Sequence, residues 1–320
     1  MIIFLLKEMW KITHKVTVME EILKVLPIEI KEKVKNKLDG LEEIRIRVNK
    51  PVILQYGQAE EILHYIVDSA MILSILQNIC DNSIYAYQEQ ICNGYVTIKG
   101  GHRVGITGNV VIKENKVINI SYINGLNFRI ARQVLNCSYK AIKYIINLPE
   151  NTIYNTIIVS PPGRGKTTIL RDLIRNISNG IEDIGFKGVN VGLADERSEI
   201  AAMYKGIPQN DVGLRTDILD NVPKAIGMKM LIRSMNPKII VADEIGKEED
   251  IDAINYAVCS GVKGIFTAHG SNMEDIIKNP ILNKLYNANT FELILFLDKN
   301  REIIVGCDRR NLGGKASNNA

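Results

Sequence analysis

No two cysteines of this sequence stand at C-x-x-C spacing. The five present, Cys80, Cys92, Cys137, Cys259 and Cys307, are scattered and odd in number. That excludes a disulfide framework and a thiolate zinc site, and fits reduced thiols in a cytosolic protein. No run approaches the roughly 18 apolar residues of a membrane span. Ile2-Ile3-Phe4-Leu5-Leu6 is the only apolar run at the N-terminus, and it is too short for a signal-peptide core. Internal repeats and long low-complexity tracts are also missing, which excludes repeat architectures. A net charge of +4 is too mild to argue for duplex nucleic acid. Nor is there a basic tail or an aromatic platform on which single strands would stack.

What remains is an ordinary globular composition, 46% hydrophobic and 24% charged, over 320 residues, enough for about two domains. Residues 1–18 read as an N-terminal extension, because Met19-Glu20-Glu21-Ile22-Leu23-Lys24-Val25-Leu26-Pro27 looks like a natural first helix. The competing reading is an amphipathic helix that docks on the body or on a membrane surface.

Residues 19–150 read as a smaller α+β domain. Two short helices flank Pro27, and 41–48 alternates charged and apolar residues as a half-buried strand does, with Arg45 and Arg47 on one face. A strand over 52–56, a helix from about 69 to 82, strands over 95–98 and 102–107, a hairpin over 110–120 and a helix from about 139 to 147 follow. Residues 151–310 alternate strand and helix as a parallel sheet covered on both faces does. The expected strands are 156–160, 189–194, 238–243, 263–268, 292–297 and 302–306. Residues 311–320 read as a disordered tail.

The most informative stretch is Ser160-Pro161-Pro162-Gly163-Arg164-Gly165-Lys166-Thr167. A β-branched apolar run precedes it, and after Thr167-Thr168 the apolar positions recur at helical spacing. Strand, glycine-containing loop and helix are the setting of a phosphate-binding loop. Gly163 and Gly165 let backbone amides turn toward an anion, and the helix N-terminus adds partial positive charge. Lys166 would reach the β- and γ-phosphates of ATP, and the Thr167 hydroxyl would sit on Mg²⁺. Ser160 stands where the pattern asks for its first glycine.

Three further strand ends carry chemistry. Ile239-Ile240-Val241-Ala242-Asp243-Glu244 puts two carboxylates at the C-terminal edge of a strand, where α/β sheets bind ligands. Asp243 would hold Mg²⁺ through water, and Glu244 would orient or deprotonate the attacking water. Leu193-Ala194-Asp195-Glu196-Arg197-Ser198-Glu199 brings more acids and Arg197 to the same edge; one of Asp195 or Glu196 would share water activation, unless the segment is a charged surface turn. Gly264-Ile265-Phe266-Thr267-Ala268-His269-Gly270 ends the next strand, with Thr267 toward the γ-phosphate or the water and His269 reporting phosphate state. A positioned guanidinium stabilises the charge spread over a transferring phosphoryl group. Candidates are Arg233 before the Asp-Glu strand, and Arg45, Arg47, Arg103, Arg129 and Arg132 of the front domain, acting across a subunit interface. Asn36-Lys37-Leu38-Asp39 matches the guanine-reading N-K-x-D, but it precedes the loop in a helical segment and is a coincidence.

The order of phosphate loop, acidic box, Asp-Glu strand and Thr-Ala-His-Gly box resembles the secretion ATPases of type II and type IV systems and the pilus motors. The residues after Glu244, Ile245-Gly246-Lys247, lack the arginine that follows in those motors. The sequence is closer still to the stage III sporulation AA family of endospore-forming bacteria. The resemblance covers about 19 to 310 and rests on Ile44-Arg45-Ile46-Arg47, Ser83-Ile84-Tyr85-Ala86-Tyr87-Gln88-Glu89 and Gly100-Gly101-His102-Arg103-Val104-Gly105. Further on, it rests on Phe128-Arg129-Ile130-Ala131-Arg132, Asp195-Glu196-Arg197-Ser198-Glu199-Ile200, Gly206-Ile207-Pro208-Gln209-Asn210-Asp211 and Arg215-Thr216-Asp217-Ile218-Leu219-Asp220. It implies a RecA-like ATPase using ATP and Mg²⁺, a homo-oligomeric ring (a hexamer), and a place in the mother-cell cytoplasm on the membrane proteins of the channel to the forespore. No nucleic acid is expected as a partner. The other readings are a nucleic-acid-stimulated ATPase and an ATP-binding scaffold with little hydrolysis.

Overall fold

The computed structural model of the chain describes residues 20–310. The expected extension over 1–18 and the expected tail over 311–320 lie outside the described residues. The described chain forms two compact units: residues up to Arg132 with Ala202–Gln209, and Gln133–Ala201 with the chain from Asn210 onward.

The first unit is built on a six-stranded sheet in the order Ala59–Ile66, Pro51–Tyr56, Glu43–Arg47, Lys116–Arg129, Arg103–Lys113, Tyr95–Thr97, all pairs antiparallel. Period-2 alternation decides its faces. Ile44, Ile46, Val104, Ile106, Leu126 and Phe128 turn inward onto Ile72, Ile75 and Ile79 of the helix Ser69–Ile79. Each fully buried side chain of this kind contributes about 1.5–3 kcal/mol. The alternate positions carry Glu43, Arg45, Arg47, Arg103 and Arg129 on the other face, with Arg129 opposite Glu43 and Arg103 in register.

Two expectations change here. The strand Ala59–Ile66 has no clear apolar signature because it is an edge strand, with most of its residues exposed or half-buried. The strand over 102–107 and the separate hairpin over 110–120 are one long hairpin, Arg103–Lys113 with Lys116–Arg129, turned by Glu114 and Asn115 at positive φ. Residues 202–209 also belong to this unit: Asp81 accepts from the Tyr204 hydroxyl and pairs with Lys205, and the Gly100 amide donates to the Gln209 side chain.

The second unit carries a seven-stranded sheet in the order Thr216–Asp220, Val191–Asp195, Ile239–Ala242, Lys263–Ala268, Thr156–Val159, Leu293–Leu297, Ile303–Asp308. All neighbours are parallel except the last pair. The central strands are buried along their whole length, which is why they read as continuous apolar runs. Thr216–Asp220, half-buried throughout at the sheet edge, gives no such signal. The division between units falls after Arg132 rather than near 150. Asp172, buried in the helix Lys166–Asn179, accepts from the Asn136 and Ser138 amides and the Ser138 hydroxyl, which ties that stretch to the second unit. Among the described residues no helix is long and apolar enough to cross a membrane.

Candidate active site

A parallel sheet delivers every strand's C-terminal end to the same edge, so the segments after Val159, Asp195, Ala242 and Ala268 emerge together. The loop after Val159 turns at Gly163, φ +73°, and Gly165, φ +97°, both in the left-handed region that favours glycine. Ser160 needs no such freedom: its backbone is not left-handed, and its amide still donates to the Ala268 carbonyl at 3.2 Å as a strand residue would. A side chain is therefore accommodated at the motif's first position without strain.

Lys166 opens the helix Lys166–Asn179 and is buried. Its ammonium donates to the Ser160 carbonyl at 2.9 Å and the Pro161 carbonyl at 3.3 Å, and lies 3.1 Å from His269 Nδ1. Burial pulls its pKa below the usual lysine range, against the opposing pull of Asp243 and Glu244. His269 Nε2 lies 3.1 Å from Glu244 Oε1. The Nε2–H tautomer satisfies both contacts at once, donating to Glu244 and accepting from Lys166.

The Thr167 hydroxyl donates to Asp243 Oδ2 at 2.7 Å. The Thr267 hydroxyl bonds the other Asp243 oxygen and accepts from the Glu244 amide at 2.8 Å, so the two strand ends are locked together. Glu244 sits at φ +55°, a conformation that non-glycine residues adopt at a cost and that clusters at functional sites. Its second oxygen takes Arg197 at 3.0 Å.

The two acids of the 195–199 box have different surroundings. Asp195 is buried, and its oxygens accept from the amides of Glu199, Ile200 and Ala201 at 2.9–3.0 Å. Burial pushes its pKa up to about 6; the loop amides oppose the shift and nearby Asp220 reinforces it. Glu196 lies 2.6 Å from the Lys224 ammonium and 3.6 Å from that of Lys247. Burial alone would raise its pKa, but these lysines outweigh it and hold the carboxyl below its usual range.

The structure thus brings together Ser160 to Thr168, Asp195 to Arg197, Asp243, Glu244, Thr267 and His269. It does not bring Arg233 to them. That side chain is exposed on the last turn of the helix Lys224–Met235, which leads into the N-terminal end of the Ile239–Ala242 strand, and it stacks 5.7 Å from the Tyr256 ring centroid. A residue before a parallel strand belongs to the opposite sheet edge. Sequence reading missed Lys224, the partner of Glu196, and Arg171, whose guanidinium holds the Glu199 and Ile200 carbonyls at 2.6–2.7 Å. Neither carries a motif; only packing places them.

An oxygen-rich pair such as Thr167 and Asp243 suits Mg²⁺, which keeps waters and shares phosphate oxygens instead of filling a protein cage. No cluster of three or more acidic, histidine or cysteine ligands occurs among the described residues. The family model described as sporulation stage III, protein AA matches residues 16–308. The chain belongs to that family. Stage III sporulation protein AA of Bacillus subtilis (strain 168) is 41% identical over 292 residues, covering 88% of this chain and 91% of the relative. Among solved structures, the Legionella pneumophila ATPase DotB aligns with a TM-score of 0.55 at 14% identity, over 88% of this chain and 79% of its own. The pilus retraction motor PilT, solved with bound ADP, aligns with a TM-score of 0.57 at 13% identity, over 86% and 80%. At such identities the likeness is one of fold: a RecA-like α/β ATPase fold preceded by an α+β unit.

Proposed function

We propose that this family member binds ATP with Mg²⁺ and hydrolyses it. The observation that carries this reading is the hydrogen bond from Thr167 to Asp243, which joins a glycine-turned, lysine-bearing loop to the acid pair of a separate strand. Lys166, the loop amides and the helix N-terminus hold the β- and γ-phosphates. Thr167 and Asp243 hold Mg²⁺, which neutralises charge on the phosphates when bound.

Glu244 accepts the proton of the attacking water. Its oxygens accept from His269 and Arg197, which aim the carboxylate and leave each oxygen acceptor capacity for the water. His269 is also the partner of Lys166. A γ-phosphate that draws the Lys166 ammonium toward itself changes one of the two contacts that fix the ring, so the aim of Glu244 responds to the phosphate. His269 thereby reports phosphate state. Asp195 positions the acidic loop, and Glu196, paired with two lysines, anchors the neighbouring helix.

The family and the fold support a homo-oligomeric ring, a hexamer, seated on membrane proteins of the stage III channel apparatus on the mother-cell side. Arg45, Arg47, Arg103 or Arg129, gathered on one sheet face, would reach the phosphates of a neighbouring subunit; Arg132, whose guanidinium donates to the Leu41 carbonyl, is engaged locally. The test is ATP binding and turnover by the purified chain. Lys166→Ala should abolish both and block sporulation after engulfment. Glu244→Gln should keep binding and lose about 10²–10⁴ in turnover. Normal spore yield from Lys166→Ala would defeat the reading.

A further inference from the structure

We infer that Arg301 binds the α- and β-phosphates of the nucleotide from within the same chain. The inference rests on reading the loop as a nucleotide site and adds a residue that no motif contains. Leu293–Leu297 runs parallel to Thr156–Val159, with Phe296 in register with Val159. The turn that follows Leu297 therefore emerges at the sheet edge where the phosphate loop begins.

That turn is tightly built. Asp298 Oδ1 accepts from the Asn300 amide at 2.7 Å and the Glu302 amide at 2.8 Å, and the Arg301 amide donates to the Asp298 carbonyl at 3.1 Å. Arg301 sits at φ +62°, in the left-handed region that a non-glycine residue adopts only where its surroundings impose it. A Cβ added at Gly165 would meet one neighbour within reach, the Arg301 Nε at 4.0 Å. The guanidinium thus lies against the last loop residue before the Lys166 helix.

Among the described residues no carboxylate pairs with Arg301. Glu302, next in sequence, pairs instead with Lys140 at 2.5 Å. An exposed guanidinium against Gly165, the residue before the Lys166 helix, with no ion-pair partner of its own among the described residues, is an arrangement that an anion would stabilise. A guanidinium offers phosphate two parallel donors.

Sheet order decides which phosphates. Glu244 and His269 follow the strands Ile239–Ala242 and Lys263–Ala268 on one flank of the loop strand; Arg301 follows Leu293–Leu297 on the other. The γ-phosphate faces the hydrolytic acid, so Arg301 serves the part of the nucleotide that ATP and ADP share.

Dissociation constants for ATP and ADP by calorimetry, with steady-state turnover, on full-length wild type, Arg301→Gln, Arg301→Lys and Lys166→Ala test this. Arg301→Gln should weaken ATP and ADP equally, by roughly tenfold or more, with kcat retained, because hydrogen bonds to charged groups are worth about that much. Arg301→Lys should lie between. Unchanged ADP affinity in Arg301→Gln, while Lys166→Ala loses binding, would overturn the role of Arg301 alone. A fall in kcat without loss of ADP affinity would move Arg301 to the γ-phosphate and overturn it equally. No nucleotide binding by wild type would sink this inference together with the reading beneath it.

Discussion

The Lys166 ammonium and the Glu244 carboxylate share one imidazole: His269 lies 3.1 Å from each, Nδ1 toward the lysine and Nε2 toward the acid. The phosphate-binding cation and the hydrolytic acid are thus linked by a side chain that each can release.

Removing that link should separate binding from turnover. His269→Ala should leave the dissociation constant for ADP within about threefold of wild type and lower kcat by roughly tenfold. Loss of a hydrogen bond to a charged partner, about 1.5–3 kcal/mol, sets the scale. Calorimetry with ADP beside steady-state hydrolysis measures both; equal losses in the two would show that His269 merely supports the loop.

Restoring the phosphate-loop pattern should bring no gain. Ser160 is buried, not left-handed, and still bonded to the next strand, so Ser160→Gly supplies freedom that the fold does not use. Nucleotide affinity should be unchanged, and the unfolding free energy should fall by about 0.5–1 kcal/mol from the added entropy of the unfolded chain. Urea denaturation with parallel calorimetry reads both.

Asp195 should leave a mark on the pH dependence of stability. Its folded pKa, about 6, lies above the ordinary 3.8, so the folded protein retains the proton longer than the unfolded chain. This contribution is fully present below about pH 4 and declines as the pH rises to about 6, by roughly 3 kcal/mol at most. Carboxylates held below their usual range, Asp172 and Glu196 among them, act in the opposite sense at lower pH, where their contribution is lost as they protonate. Denaturation midpoints between pH 4.5 and 7 should therefore fall with rising pH in wild type and show no such slope in Asp195→Asn.

Much of the site was legible because its signals are local. Gly163 and Gly165 mark left-handed turns, and an apolar strand followed by Asp243-Glu244 marks a sheet edge, whatever the rest of the chain does. The buried central strands were legible for the same reason, since burial on both faces writes an unbroken apolar run. Edge strands such as Ala59–Ile66 and Thr216–Asp220 were not, because a half-exposed strand leaves its side chains little constrained.

By itself the amino-acid order determined which residues turn, which are buried and which carry charge, and so the phosphate loop, the acid pair and the family. Only the tertiary structure decided that Asp195 faces loop amides, that Glu196 is engaged by lysines, that Arg233 stands at the far edge and that Arg301 lies against Gly165. Those outcomes depend on which strand ends become neighbours, and neighbours in a parallel sheet come from distant stretches of chain whose order is set by packing the whole core, not by any local pattern.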